Sequence, residues 1–305
     1  MRIAITGANG FIGKALLDYL AETEHELFCM SRRPAKLAQV HSFPISFPSH
    51  QTEQLIQEIH PDVLIHAAGC SSVPASVEDP AADFHSGPPV VFQLLNACRL
   101  HSPRTTFIFL SSAAVYGNPS QLPIMEHHHT KPISPYGFHK LQSELVVNEF
   151  ASLYGIACAS ARIFSAYGAG LRRQILWDVC QKAWAHGEVP LLGTGSEARD
   201  FIHALDVCRA LELIWNNGCL HGQAINICSG IVTPIAEIAS LIASKFPHKP
   251  SISFTGNQLP GAPTRWQGDN EWLRSNGFQC SVSLDTGVDE YVKWYLDKKK
   301  TFADE

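Results

Sequence analysis

An α/β fold is predicted, a doubly wound parallel sheet followed by a smaller C-terminal α/β lobe, and three observations predict it. A glycine-rich turn, TGANGFIG (Thr6 to Gly13), joins a short apolar strand to an amphipathic helix at the start of the chain. Strand-like and helix-like runs then alternate as far as about Ser165. Beyond that point the pattern breaks into shorter pieces separated by loops. Alternation of this kind means parallel strands joined by helical crossovers, and such a sheet binds its ligand at the carboxyl ends of its strands.

The elements follow in order. RIAIT is an apolar strand, GANG the turn, and FIGKALLDYLAE a helix with apolar residues at helical spacing. HELFCMS is a second strand, ending in Arg32-Arg33-Pro34. The helix QTEQLIQEIH leads through Pro61 into the strand DVLIHAAG. ADFHSGPPVVFQLLNACRLH reads as helical after its Pro88-Pro89 entry, and TTFIFLSS as the next strand. SPYGFHKLQSELVVNEFASLYG is a long helix stopping at Gly155, and IACASARIF another buried strand. GAGLRR, VPLLGTGSEARDF and PGAPTRWQGD read as loops, and the tail KKKTFADE as a frayed end. Residues 1–165, with roughly 201–228, form the expected nucleotide-binding domain; 166–200 and 229–305 form the expected substrate lobe.

Composition narrows the function classes. The chain has 305 residues, a 45% hydrophobic fraction and a formal charge of -5, with no basic surplus to neutralise nucleic-acid phosphates. No apolar run approaches the roughly 18 residues that span a membrane, and MRIAITGANG lacks the pattern of an export leader. The nine cysteines are scattered and never form C-x-x-C, so reduced, mostly buried thiols in a cytoplasm are expected. The run Glu126-His127-His128-His129 reads as a solvated loop, because consecutive histidines point in different directions, and no metal site is expected.

Gly7, Gly10 and Gly13 follow a strand and open a helix, the context of dinucleotide binding. Gly7 permits the tight turn, Gly10 a close approach to pyrophosphate, and Gly13 close helix packing. The spacing is G-x-x-G-x-x-G. At the end of the second strand an acid favours NAD and an arginine tolerates the extra phosphate of NADP. Here stand Ser31, Arg32 and Arg33 without an acid, which favours NADP; a solvated basic loop is the alternative. Tyr136 and Lys140 in SPYGFHK share a helix face at i and i+4, so the ammonium is expected beside the phenol, lowering its pKa for proton transfer.

With TGANGFIG, HAAG, SSAAVYG and YGFHK in this order, the chain resembles the extended short-chain dehydrogenase/reductases, and within them the nucleotide-sugar epimerase/dehydratase branch. ARIFSAYGAG, GTGSEARDFIHALDVCRAL and INICSG extend the resemblance nearly end to end. It implies a Rossmann domain, an NAD(P) cofactor, a nucleotide-diphosphate sugar substrate, a role in polysaccharide biosynthesis and a homodimer. It implies Ser112, Tyr136 and Lys140 as catalytic residues, with Tyr136 the acid/base and Lys140 also holding the nicotinamide ribose. Asn9, Phe11 and Ile12 of the glycine turn, and Ala67, Ala68 and Gly69 of HAAG, would line the cofactor. Ser72, Ser165, Arg199 and Arg265 would contact substrate, with Arg199 on the diphosphate.

The family's dehydratases carry an acidic pair where this chain has Ala113 and Ala114, which argues against dehydration. A 4-epimerase acting through a 4-keto sugar and an NADPH-dependent 4-keto-6-deoxy-sugar reductase both remain open. A cofactor-binding sensor without chemistry is the third reading, disfavoured by the intact Ser112, Tyr136 and Lys140.

Overall fold

The computed structural model describes residues 1–185, 187–217, 220–256 and 263–303. Its first half alternates as expected: β1 (Arg2–Thr6), α1 (Phe11–Leu20), β2 (Glu26–Ser31), β3 (Val40–Pro44), α2 (Thr52–Ile59) and β4 (Val63–His66). Next come α3 (Val73–Glu78), α4 (Pro80–His85), α5 (Pro88–His101), β5 (Thr106–Ser112), a 3-10 turn over Ala113–Tyr116, α6 (Pro135–Tyr154) and β6 (Cys158–Ile163). The second half contains β7 (Ser165–Tyr167), α7 (Gln174–Ala185), β8 (Glu188–Leu191), β9 (Ala198–His203), α8 (Ala204–Asn216) and β10 (Ala224–Ile227). It closes with β11 (Val232–Pro234), α9 (Ile235–Ser244), β12 (Ser251–Phe254), α10 (Glu271–Ser275) and α11 (Leu284–Ala303).

Seven parallel strands form one sheet in the order β10-β6-β5-β4-β1-β2-β3. The central strands are apolar on both faces because helices cover both. One face packs Ile3, Ile5 and Ile108 against Leu16, Leu17 and Leu20 of α1 and Val207, Leu211 and Ile214 of α8. The other packs Leu64, Phe107 and Phe109 against Ile56 of α2, Leu94 and Leu95 of α5, and Val147 and Phe150 of α6. A separate core joins α7, α9 and α11 through Val179, Ile238, Ile242, Tyr291 and Tyr295.

The helix expected after the Pro88-Pro89 entry is α5, which starts at Pro88, with α4 ending before it at His85. The proline ring disfavours helical backbone in the residue before it, and Gly87 duly sits at φ -110°, ψ -105°. VPLLGTGSEARDF is not a loop throughout, since it supplies β8 and most of β9, each paired with a distant strand. The short helix α3 occupies a stretch to which no element was assigned. Lys298 to Ala303 continue α11, whereas the last two residues of the tail lie outside the described residues. So do Pro260 to Ala262 of the loop PGAPTRWQGD, and Cys219.

Among the described residues, no helix is long and apolar enough to cross a membrane. The eight described cysteines are free thiols, six of them buried.

Candidate active site

The glycine turn is built for close approach. Gly7 has φ +64°, and a Cβ there would stand 2.6 Å from the Ala68 backbone; one on Gly13 would stand 2.4 Å from Gly7 O. The turn is thereby pressed against HAAG at the carboxyl edge of the sheet. α1 begins at Gly10 without a side-chain cap, which leaves its first-turn N–H groups facing the turn, as an anion site requires. The Asn9 amide donates to Ser31 Oγ at 2.7 Å and to the Arg33 carbonyl, tying the turn to the end of β2. Arg32 and Arg33 are exposed and form no salt bridge among the described residues. These features fit a dinucleotide: Gly7 to Gly13 would hold its pyrophosphate and the end of β2 its adenosine ribose.

The sequence sets Tyr136 in place through its neighbours. Ser134 caps α6 by accepting from Gly137 N at 3.2 Å, and Pro135 starts the helix. A Cβ on Gly137 would meet Ala114 O at 2.7 Å, so this glycine lets α6 close on the 3-10 turn that follows Ser112. The Tyr136 N–H also donates to Ser76 Oγ of α3 at 3.1 Å.

Tyr136 and Lys140 line one cleft with His66, Ala68, Gly69, Cys70, Asp83 and His139. The expected coupling between them differs in detail. Burial raises the Tyr136 phenol above its ordinary range, and what opposes the rise is the Ser112 hydroxyl, then the Arg173 guanidinium. Lys140 Nζ lies 5.7 Å from the Tyr136 ring centroid and donates instead to Leu110 O at 2.8 Å. Burial brings the Lys140 ammonium down to about 8. Ser112 Oγ also accepts from Ala114 N at 3.2 Å, so one hydroxyl both caps the turn and faces the phenol. Ala113 and Ala114 are buried and bring no carboxylate.

The anticipated substrate residues separate. Arg199 on β9 donates to Ala198 O at 2.9 Å, lies 5.5 Å from the Trp266 ring centroid, and forms no salt bridge among the described residues. Burial pulls its guanidinium down to about 10. Trp266 in turn donates to Gly117 O at 2.9 Å, connecting Arg199 to the turn after Ser112. Ser165 begins β7, beside β9. Ser72 serves as the cap of α3, accepting from Ala75 N at 3.3 Å. Arg265 is exposed, joined to Ala198 only by a backbone bridge. Arg173 was not anticipated: it donates to Ser71 O and Oγ and acts on Tyr136, yet its only sequence signal was a doublet in a loop. His66 was also missed; its Nδ1 pairs with Thr6 Oγ1 at 2.7 Å and its Nε2 has no hydrogen-bond partner among the described residues. No group of three His, Cys, Asp or Glu among the described residues could hold a metal ion.

The model of the NAD dependent epimerase/dehydratase family matches residues 3–228. A UDP-glucose 4-epimerase of Mycolicibacterium smegmatis is 27% identical, the match covering 98% of this chain and all of that one. A GDP-6-deoxy-D-mannose reductase of Pseudomonas aeruginosa is 29% identical over 79% of each chain. The crystal structure of a UDP-glucuronic acid 4-epimerase from Bacillus cereus, in complex with UDP-glucuronic acid and NAD, shares the fold. Its TM-score is 0.87 at 22% identity, with 98% of this chain and 100% of that one covered.

Proposed function

The chain belongs to the NAD dependent epimerase/dehydratase family, and on that premise we propose that it is a UDP-sugar 4-epimerase. The observation that carries this reading is the cleft itself. Tyr136, faced by Ser112 and beside Lys140, lines it together with Ala68, whose backbone abuts Gly7 of the glycine turn, and Ala113 and Ala114 bring no acid that could expel water from the sugar. A bound nicotinamide would supply the acceptor, and later the donor, of one hydride. Tyr136 takes the C4 hydroxyl proton and returns it, Ser112 holds the reacting oxygen, and Lys140 holds the nicotinamide ribose and stabilises the ionised phenol. Arg199, half-buried beside Trp266 and in no salt bridge among the described residues, is suited to the substrate diphosphate, with Ser165 near it. Ser72 and Arg265 take outer substrate positions.

The two guanidinium groups past Ser31 support NADP at the adenosine ribose; competition between NAD and NADP for the emptied protein decides that preference. The reductase reading is favoured by the same Arg32-Arg33 pair and by the Pseudomonas relative. The sheet supports the division at about Ser165, since β10 and α8 rejoin the first half. Exposed Phe92 and Leu100 on α5, and Leu145 and Leu153 on α6, support pairing of two copies through these helices. Free thiols support a cytoplasmic setting.

Purified protein should carry tightly bound cofactor and interconvert UDP-glucose and UDP-galactose with none added. Protein that emerges empty and consumes NADPH with a 4-keto sugar would establish the reductase instead.

A further inference from the structure

The cleft holding Tyr136 and Lys140 has a second titratable pair in its wall. Asp83 of α4 binds His139 Nδ1 of α6, with side chains only 4% and 16% exposed. His139 directly precedes Lys140, and Phe84 sets its ring edge against the imidazole. Lys140 has no carboxylate partner of its own among the described residues. Its Nζ has the Leu110 carbonyl at 2.8 Å and the Phe109 ring centroid at 4.7 Å. An ammonium in such surroundings loses its proton readily unless negative charge stands near.

The other groups facing the site supply little of that charge. From β4 and the segment after it come His66, held neutral by burial, and Cys70, whose thiol burial pushes up. From α6 come Tyr136 and Glu144, the latter paired with Arg162 at 2.7 Å. From the loop before α7 comes the Arg173 cation, facing Tyr136. Among the described residues Asp83 is the one carboxylate lining the cleft, and its field leads those that favour the Lys140 ammonium.

We propose that Asp83 and His139 are positioning residues for the transfer chemistry: the imidazole fixes the carboxylate where its charge keeps Lys140 protonated. This rests on the reading of Tyr136 and Lys140 as the reacting pair. Without the carboxylate's charge Lys140 gives up its proton at lower pH, and its hold on both ribose and phenol goes with it.

The test uses the full chain, with turnover and NAD binding each measured across pH 6 to 10. Asp83→Asn should move the alkaline limb of both profiles to lower pH by about one unit, while leaving them near wild type at the acid end. His139→Gln keeps a donor to Asp83 and should leave the limb in place. His139→Leu frees the carboxylate and should move it part of the way. An unmoved limb in Asp83→Asn, or in His139→Leu where the former does not fold, overturns the proposal. A uniform loss at every pH in all three variants overturns it too, as the mark of a purely structural pair. Failure of the underlying reading looks different: Tyr136→Phe would keep its turnover.

Discussion

Glu144 and Lys140 lie four residues apart on α6 and are both largely buried, yet the protein treats them oppositely. Glu144 accepts from Ser111 Oγ at 2.5 Å and from Arg162 Nε and Nη2 at 3.0 and 2.7 Å. Arg162 completes its set with Tyr116 Oη at 2.8 Å and Glu126 O at 2.9 Å. Burial pulls the Arg162 guanidinium down, but Glu144 outweighs it and holds the group above its ordinary value. Among the described residues Lys140 bonds a single carbonyl and forms no ion pair, and burial wins. A fully paired charge holds elements together; an underpaired one costs stability and is left available to a ligand.

The contrast can be broken most severely at Glu144. Glu144→Ala strands the Arg162 cation and should destabilise by about 3–5 kcal/mol in a denaturant titration. A loss no larger than that of a surface substitution would erase the distinction between the two sites.

The opposite sign is expected at Lys140. Lys140→Met should stabilise the cofactor-free protein by about 1–3 kcal/mol at pH 7, while abolishing turnover. The native ammonium titrates at about 8, below the ordinary lysine value of 10.5. Below about 8 both native and unfolded chains are charged, so the cost is fully present. It fades as the native state sheds its proton between those values and is gone above the upper one. Melting curves at neutral and strongly alkaline pH check this, and a gain that persists at high pH contradicts it.

The smallest effect on stability is expected at Arg199. Arg199→Ala should change it by about 0.5 kcal/mol or less, since no ion pair among the described residues is lost, while raising the KM for a UDP-sugar about tenfold or more. Steady-state kinetics beside a melting curve separate these outcomes; a stability loss with unchanged KM would make Arg199 structural.

Much of this frame was legible in the sequence because it is written in local pattern. Apolar runs fully buried between helices mark β1, β4 and β5, and Ser134, Pro135 and Gly155 bracket α6. The start of α5 at Pro88 was legible in the diproline, whereas α4 before it spans only six residues and carries little periodic pattern. β8 and β9 were hidden in a glycine-rich stretch because their partners, β12 in one case and β7 and β11 in the other, lie far away in sequence. The motifs of Tyr136, Lys140 and Ser112 pointed to residues that the fold brings together at the cleft. The contact of Asp83 with His139 and the reach of Arg173 to Ser71 span 56 and 102 residues and leave no local trace. Nor could a four-residue spacing show that Lys140 would bond a carbonyl while Ser112 and Arg173 restrain the phenol.

The central claim is that one hydride leaves C4 of the sugar and returns to the same carbon. UDP-glucose deuterated at C4, incubated with the protein and no added cofactor, tests it by mass spectrometry and NMR of the product. The account predicts UDP-galactose with its deuterium retained at C4. Loss of the label to solvent or to added cofactor, or no product without added NADPH, would contradict it.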